Sequence, residues 1–167
     1  MDFAEGLRAG ATYQFEQWRG GRLIDTWESR NIIPVEGLNH ILSVVVANGS
    51  QNTTWYVGLF EGNYTPVTGD TMATFVASAT ECDDYDEAAR PAFVESAPSG
   101  GSTSNTSSKA EFTMSAAKTI YGVFLSSVAT KNATSGTLLS ASKFSTAKVV
   151  DNGDILRVTV TLTLTSS

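Results

Sequence analysis

From Leu156 to Leu164 the chain alternates without interruption: Leu156, Val158, Val160, Leu162 and Leu164 are separated by Arg157, Thr159, Thr161 and Thr163. Successive side chains on a strand point to opposite faces. The pattern therefore dictates a strand with one face on a core and a Thr-rich face that is wet or covered by a partner. Such a strand needs others to pair with, and the composition supplies them. About a quarter of the 167 residues are Ser or Thr, which favour strands and turns over long helices.

Two further segments read as strands buried on both sides. Trp55–Phe60 puts Trp55, Val57 and Leu59 on one face and Tyr56 and Phe60 on the other, as expected of a strand between two layers. Ile120–Leu125 has the same character, and Tyr121-Gly122-Val123-Phe124 nearly mirrors Tyr56-Val57-Gly58-Leu59. An N-terminal hairpin runs from Thr12 to Glu28 and turns at Gly20-Gly21, a pair that accepts positive φ. Neither of its faces is cleanly apolar, so it reads as an arm that leans out from the body or pairs with a neighbouring subunit. Lys109–Met114 alternates polar and apolar, Asp151-Asn152-Gly153-Asp154 carries the strongest hairpin signal, and Ala97–Ser108 has the composition of a flexible loop.

Two short helices interrupt the strands. Pro34 opens the first, in which Leu38, Ile41, Leu42 and Val45 form one apolar stripe, and Asn48-Gly49 stops it. Asp70 reads as the N-cap of the second, with Met72, Phe75, Val76 and Ala79 as its apolar face. The expectation is an all-β fold: a β-sandwich of the jelly-roll kind over residues 31–167, preceded by a hairpin arm over residues 1–30, with one or two short helices.

The residues offer little to catalysis. His40, the one histidine, lies off the apolar stripe and reads as solvent-facing. Cys82, the one cysteine, excludes an intrachain disulfide or a cysteine-based zinc cluster. It sits among carboxylates, which disfavour a thiolate, and reads as an inert thiol. The acidic cluster Glu81, Asp83, Asp84, Asp86 and Glu87 has the oxygen ligands that Ca²⁺ takes, but lacks the glycine and distal Glu of an EF-hand loop. It reads instead as a solvated loop, or as one that pairs with basic residues such as Arg90 or across an interface. No carboxylate pair is singled out for glycoside hydrolysis, and Gly100-Gly101 lacks the Lys-Ser/Thr of a phosphate loop. No cofactor or metal is implied.

A net charge of -6 argues against binding a phosphate backbone, so no nucleic-acid partner is expected. The apolar run Ile41–Val46 is too short for a membrane span, and the MDFAEGLRAG start lacks the basic-then-apolar layout of a secretion signal. The Asn-x-Ser/Thr triplets at Asn48, Asn52, Asn63, Asn105 and Asn132 are expected by chance in so Ser/Thr-rich a chain.

Three segments in order, Trp55-Tyr56-Val57-Gly58-Leu59-Phe60, Gly69-Asp70-Thr71-Met72-Ala73 and Arg90-Pro91-Ala92-Phe93, resemble a group of small tailed-bacteriophage virion proteins, among them capsid decoration or cement proteins. The similarity takes in Asn31-Ile32-Ile33 and Gly37-Leu38-Asn39 upstream, and Gly122–Leu125 and Gly153-Asp154 downstream. The acidic Glu81–Glu87 stretch departs from the more aromatic and polar run of that group. The resemblance implies a non-enzymatic protein, made in the host cytoplasm, that binds the outer capsid surface of the virion. Its partners would be the major capsid protein and further copies of itself, as a dimer or trimer. The alternative is a receptor- or glycan-binding module of the tail or capsid surface, with Ala97–Ser108 reading the target. A carboxylate-based hydrolase is the third class. Interface candidates are Phe3, Tyr13, Phe15, Trp18 and Trp27, because aromatic anchors are enriched at contacts, together with Asp83, Asp84, Asp86 and Arg90. Deleting residues 1–28 is then expected to leave a folded domain that no longer binds capsids.

Overall fold

A computed structural model describes residues 6–166. In chain order its elements are β1 (Leu7–Arg19), β2 (Arg22–Arg30), α1 (Val35–Val46), β3 (Trp55–Phe60), α2 (Met72–Ala79), β4 (Glu81–Cys82), β5 (Ala92–Phe93), β6 (Ser102–Ser104), β7 (Ala110–Thr113), β8 (Lys118–Ser126), β9 (Leu138–Val150) and β10 (Ile155–Ser166). They form a β-sandwich. One sheet has the order β2-β1-β10-β6, with β7 also on β10; the other runs β4-β3-β8-β9, with β5 also on β3.

β10 behaves as its alternation requires. Leu156, Val158 and Val160 are buried and Leu162 packs against the same core, while Leu164 at the far end is exposed. Its long partner is β1, antiparallel from Leu7↔Ser166 to Trp18↔Ile155. The N-terminal hairpin is thus part of the sandwich: β1 lies between β2 and β10, and Ala11, Tyr13 and Phe15 point into the core. Its inward row also holds Gln17, a polar residue that breaks the apolar pattern. Buried Gln17 finds partners in the Asp154 carboxylate at 2.7 Å and the Val149 carbonyl at 3.1 Å. The hairpin turns at Gly20 and Gly21, with φ of 54° and 77°, in the left-handed region that glycine adopts freely.

β3 and β8 are central, as their two apolar faces require. Val57, Leu59, Val123 and Leu125 face the sandwich core, while Phe60 and Phe124 face outward beneath α2. Their glycines explain the mirrored sequences. Gly58 pairs with Phe124 and Gly122 with Phe60 across the ladder. A Cβ at either glycine would lie 2.2 Å from the ring opposite, so each ring lies flat over a bare backbone. On that surface α2 seats Met72, Phe75, Val76 and Ala79, with the Phe75 ring 5.4 Å from Phe60 and 5.3 Å from Phe124.

Three local expectations change. The N-cap of α2 is Thr71, in a reciprocal capping box with Thr74; Asp70 is buried one residue earlier, accepting from the Tyr64 hydroxyl and the Val67 N–H. The Ser-rich loop contains β6, which extends the sheet beside β10. The Asp151–Asp154 turn is no hairpin, because β9 and β10 lie in different sheets. It carries the chain across the sandwich, and buried Asp154 holds the crossing by accepting from Gln17, from Arg19 at 2.7 and 2.8 Å, and from the Asp151 N–H.

The Arg19 hydrogen bonds hold the Asp154 carboxyl down to about 2, below its ordinary value of 3.8. A depressed pKa stabilises the fold above the unfolded value, and that stability is lost as pH falls through the folded one. Asp154→Asn should therefore cost about 2 kcal/mol at neutral pH. In denaturant titrations the gap between wild type and variant should close as pH drops from 4 towards 2; a constant gap would contradict the assignment. Truncation before Asn31 removes β1 together with Tyr13 and Phe15. It should abolish cooperative unfolding and the near-ultraviolet circular dichroism, where an independent sandwich at 31–167 would keep both.

Candidate interaction surface

Of the aromatic candidates near the N-terminus, Tyr13, Phe15 and Trp27 serve the interior. Tyr13 is fully buried, bonded to the Ser140 hydroxyl, and burial pushes its own hydroxyl pKa up. Phe15 stacks on Trp27 with centroids 4.9 Å apart, and Phe144 meets both rings edge-on. Trp27 is partly buried under the Lys148 ammonium, 4.6 Å from its ring. Trp18 is half-buried on the outer face, where its indole N–H donates to Glu16 and the Arg157 guanidinium lies 5.1 Å from its ring. Phe3 lies outside the described residues.

The acidic stretch does not converge on one point. Glu81 is buried and forms a two-pronged pair with Arg90, at 2.7 and 2.6 Å, with neither side chain exposed. Arg90 also donates to the Ser126 hydroxyl and to the carbonyls of Val128 and Ala133, and Glu81 accepts from the Asn132 N–H. Arg90 is therefore a core residue, and no local sequence signal marks it as one, because its partners Glu81, Ser126, Val128 and Ala133 are brought to it only by the fold. Asp83 accepts from the Asn132 side chain, Asp84 pairs with Lys118 at 2.5 Å, Glu87 accepts from Thr113, and Asp86 is exposed. Among the described residues no three His, Cys, Asp or Glu side chains come together to hold a metal ion. Cys82 is buried, and burial pushes its thiol up to about 11, away from a reactive thiolate.

The surface that stands out is α1. Its body side is fixed by polar and steric fit. Glu36 turns inward and accepts from the N–H groups of Met72 at 2.9 Å and Leu138 at 2.6 Å, and the Val35 N–H donates to the Thr68 carbonyl at 2.9 Å. Gly37 is buried so tightly that a Cβ would lie 2.4 Å from the Leu139 carbonyl oxygen. Of the expected stripe only Ile41 packs towards the core; Leu38, Leu42 and Val45 face outward with Val35 and Val46. Leu42 is 56% exposed and Val45 and Val46 each 73%. The spacing identified an apolar stripe but not the side on which the body lies. The body took the turn that offers Glu36 and Gly37.

His40 also differs from its solvent-facing expectation. It is half-buried, edge-on to Trp55 at 5.3 Å, with its Nε2 3.2 Å from the Asn52 amide. These residues line an open cavity of about 350 Å³ between α1 and the ends of β1, β6 and β10. Ile41, Val44, Trp55, Leu139, Leu162 and Leu164 make its walls mainly apolar. The groove runs into the outer face of α1 through Val45, which belongs to both. Continuous exposed apolar surfaces of this kind are where proteins meet other molecules, which makes this one the candidate interaction surface.

The family described as podophage GP4 fiber I protein gp80 matches residues 33–165. The chain belongs to that family. It is accordingly a structural virion protein of a tailed bacteriophage, as the resemblance in the sequence implied, and the family description speaks of a fibre. The match takes in α1, the groove walls from β3 to β10 and both halves of the Glu81–Arg90 pair, and stops short of β1 and β2. No curated protein matches the chain.

Removing one partner of a buried ion pair leaves the other charge without compensation. Arg90→Ala should thus cost about 3–5 kcal/mol in denaturant unfolding. The double variant Glu81→Leu, Arg90→Met should cost clearly less than the two single changes added together. Strict additivity would show that the two residues do not act as a pair.

Proposed function

We propose that the chain is a structural subunit of the fibre apparatus of a podophage virion, joined to its neighbours through the aliphatic face of α1 and the groove beside it. The observation that carries this reading is the face itself. A helix pinned to the body by Glu36 and Gly37 leaves Leu38, Leu42 and Val45 40%, 56% and 73% exposed, so much of their apolar surface is not covered by the fold. Burial of such side chains against another subunit is favourable by about 25 cal/mol per Å². The fibre description of the family supports the location. The residues on which an enzyme reading would rest support a structural role, since His40 meets Asn52 and Trp55, Cys82 is buried, and the acidic side chains mostly bond to the protein's own groups.

The second reading is a decoration protein on the outer capsid surface, with the major capsid protein as partner. The order of the Trp55–Phe60, Gly69–Ala73 and Arg90–Phe93 segments favours it. In the fold those segments build β3, the start of α2 and the buried Arg90, which makes them markers of ancestry more than of attachment point. In either location the chain is a binding component with no reaction of its own.

Copy number separates the two. Quantitative mass spectrometry of purified virions, scaled to the major capsid protein, should find on the order of a dozen copies or a small multiple for a subunit of symmetric fibres. Hundreds of copies, tracking the capsid lattice, would overturn the fibre reading in favour of decoration.

A further inference from the structure

The geometry points to the outer face of α1 as a homotypic contact, in which the helix packs against α1 of a second copy of this chain. This deepens the fibre-subunit reading and rests on it for the setting, though not for the contact.

Three observations select a second copy. The outward residues Val35, Leu38, Leu42 and Val45 recur at intervals of three, four and three. That spacing lines four aliphatic side chains along one seam of the helix, and a second helix with the same 3-4-3 spacing can set its own side chains between them. The seam is also free of charge. Asn39, Ser43 and Val46 flank it, and the one acidic residue of the helix, Glu36, is turned into the body. For a chain of net charge -6, a neutral strip is where a second copy can approach without meeting its own repulsion. A partner recognised by charge would find no counter-charge there.

The third observation is area. Val35, Leu38, Leu42, Val45, Val46 and Leu164 are each 40–73% exposed and form one aliphatic surface. Pairing two such faces, together with the groove walls and a polar rim, brings the contact towards the ~1,000 Å² that specific association needs. The contact is then weak and concentration-dependent for free chains, and firm once assembly holds copies side by side.

Sedimentation velocity of the full chain, from sub-micromolar to high micromolar concentration, should show a monomer giving way to a dimer or larger species. Leu42→Glu should abolish this shift while leaving the far-ultraviolet circular dichroism unchanged and the melting temperature nearly so, because Leu42 is mostly exposed and lies outside the buried core. A second variant, Leu42→Cys, treated with a short bis-maleimide, should yield cross-linked pairs. Leu23→Cys, equally exposed on β2 but away from the seam, should yield none; native Cys82 is buried and does not compete. A wild-type chain that stays monomeric throughout, or equal cross-linking from both positions, overturns the homotypic contact. If it stays monomeric while Leu42→Glu chains fail to enter virions, α1 binds a different subunit: the homotypic contact falls and the fibre-subunit reading stands. If the wild type pairs but Leu42→Glu chains enter virions normally, the contact stands and the attachment role proposed for α1 falls.

Discussion

One buried ion pair ties together the parts of this sandwich that strand pairing alone leaves loose. Glu81 sits on the two-residue β4 and Arg90 in the irregular segment before β5, neither of which is held by a long ladder. Bringing both charges out of water is costly, by several kcal/mol for each ion. The arrangement is tolerable because every direction is used: two prongs between the pair, three more acceptors for the guanidinium, and a backbone N–H for the carboxylate. Those acceptors lie in the 126–133 segment, so the pair determines where that connection runs. The guanidinium also lies 5.1 Å from the Phe124 ring, the ring on which α2 is seated. A chain with the pair half-formed would strand a charge in the core, which penalises every alternative path for these loops.

The same device recurs with less at stake. Glu36 fastens α1 to the starts of α2 and β9, Asp70 closes the turn before α2, Glu87 caps the edge of β7, and Asp154 holds the crossing between the sheets. Carboxylates accept several hydrogen bonds at once and form stronger ones than neutral acceptors. A fold with short strands and many backbone N–H groups left outside ladders uses them as internal clasps. This is why an acidic run that resembled a binding site in the sequence turns out to be distributed among structural tasks.

What the sequence discloses follows from what periodicity can encode. The alternation of β10, the double-faced β3 and β8 and the apolar side of α2 were all readable, since each pattern reports a surface that must be covered. Gln17 concealed β1 as a core strand, because its partner Asp154 lies far along the chain and no local rule links the two. Asn152-Gly153 signalled a turn correctly but not its destination, since a tight turn can join strands of one sheet or pass between sheets. Asp70 failed as a cap because the adjacent Thr71 could make the reciprocal box with Thr74, which freed the carboxylate for Tyr64. Of the candidate interaction surface, the α1 stripe was legible and its direction was not. That direction depends on a clasp and a close approach at Glu36 and Gly37, and neither leaves a periodic trace.

The direction of that stripe bears on how the chain divides its apolar residues. A helix normally holds itself to its domain by the face it buries, so a stripe turned outward would leave α1 with little to keep it in place. Here much of the anchoring is carried by hydrogen bonds and a glycine contact in the first turn, with Ile41 and His40 adding contacts on the body side and the opposite side left uncovered. The consequence is a rigid presentation. Leu38, Leu42 and Val45 stand on a helix that is already positioned, so covering them requires little further ordering of the backbone, and a larger share of their burial appears as affinity. An exposed aliphatic strip on a flexible loop would lose that advantage to entropy. The family match, which starts at residue 33, includes this helix, both N–H donors of its clasp and the Leu139 carbonyl that Gly37 meets, so it contains every element that this presentation requires.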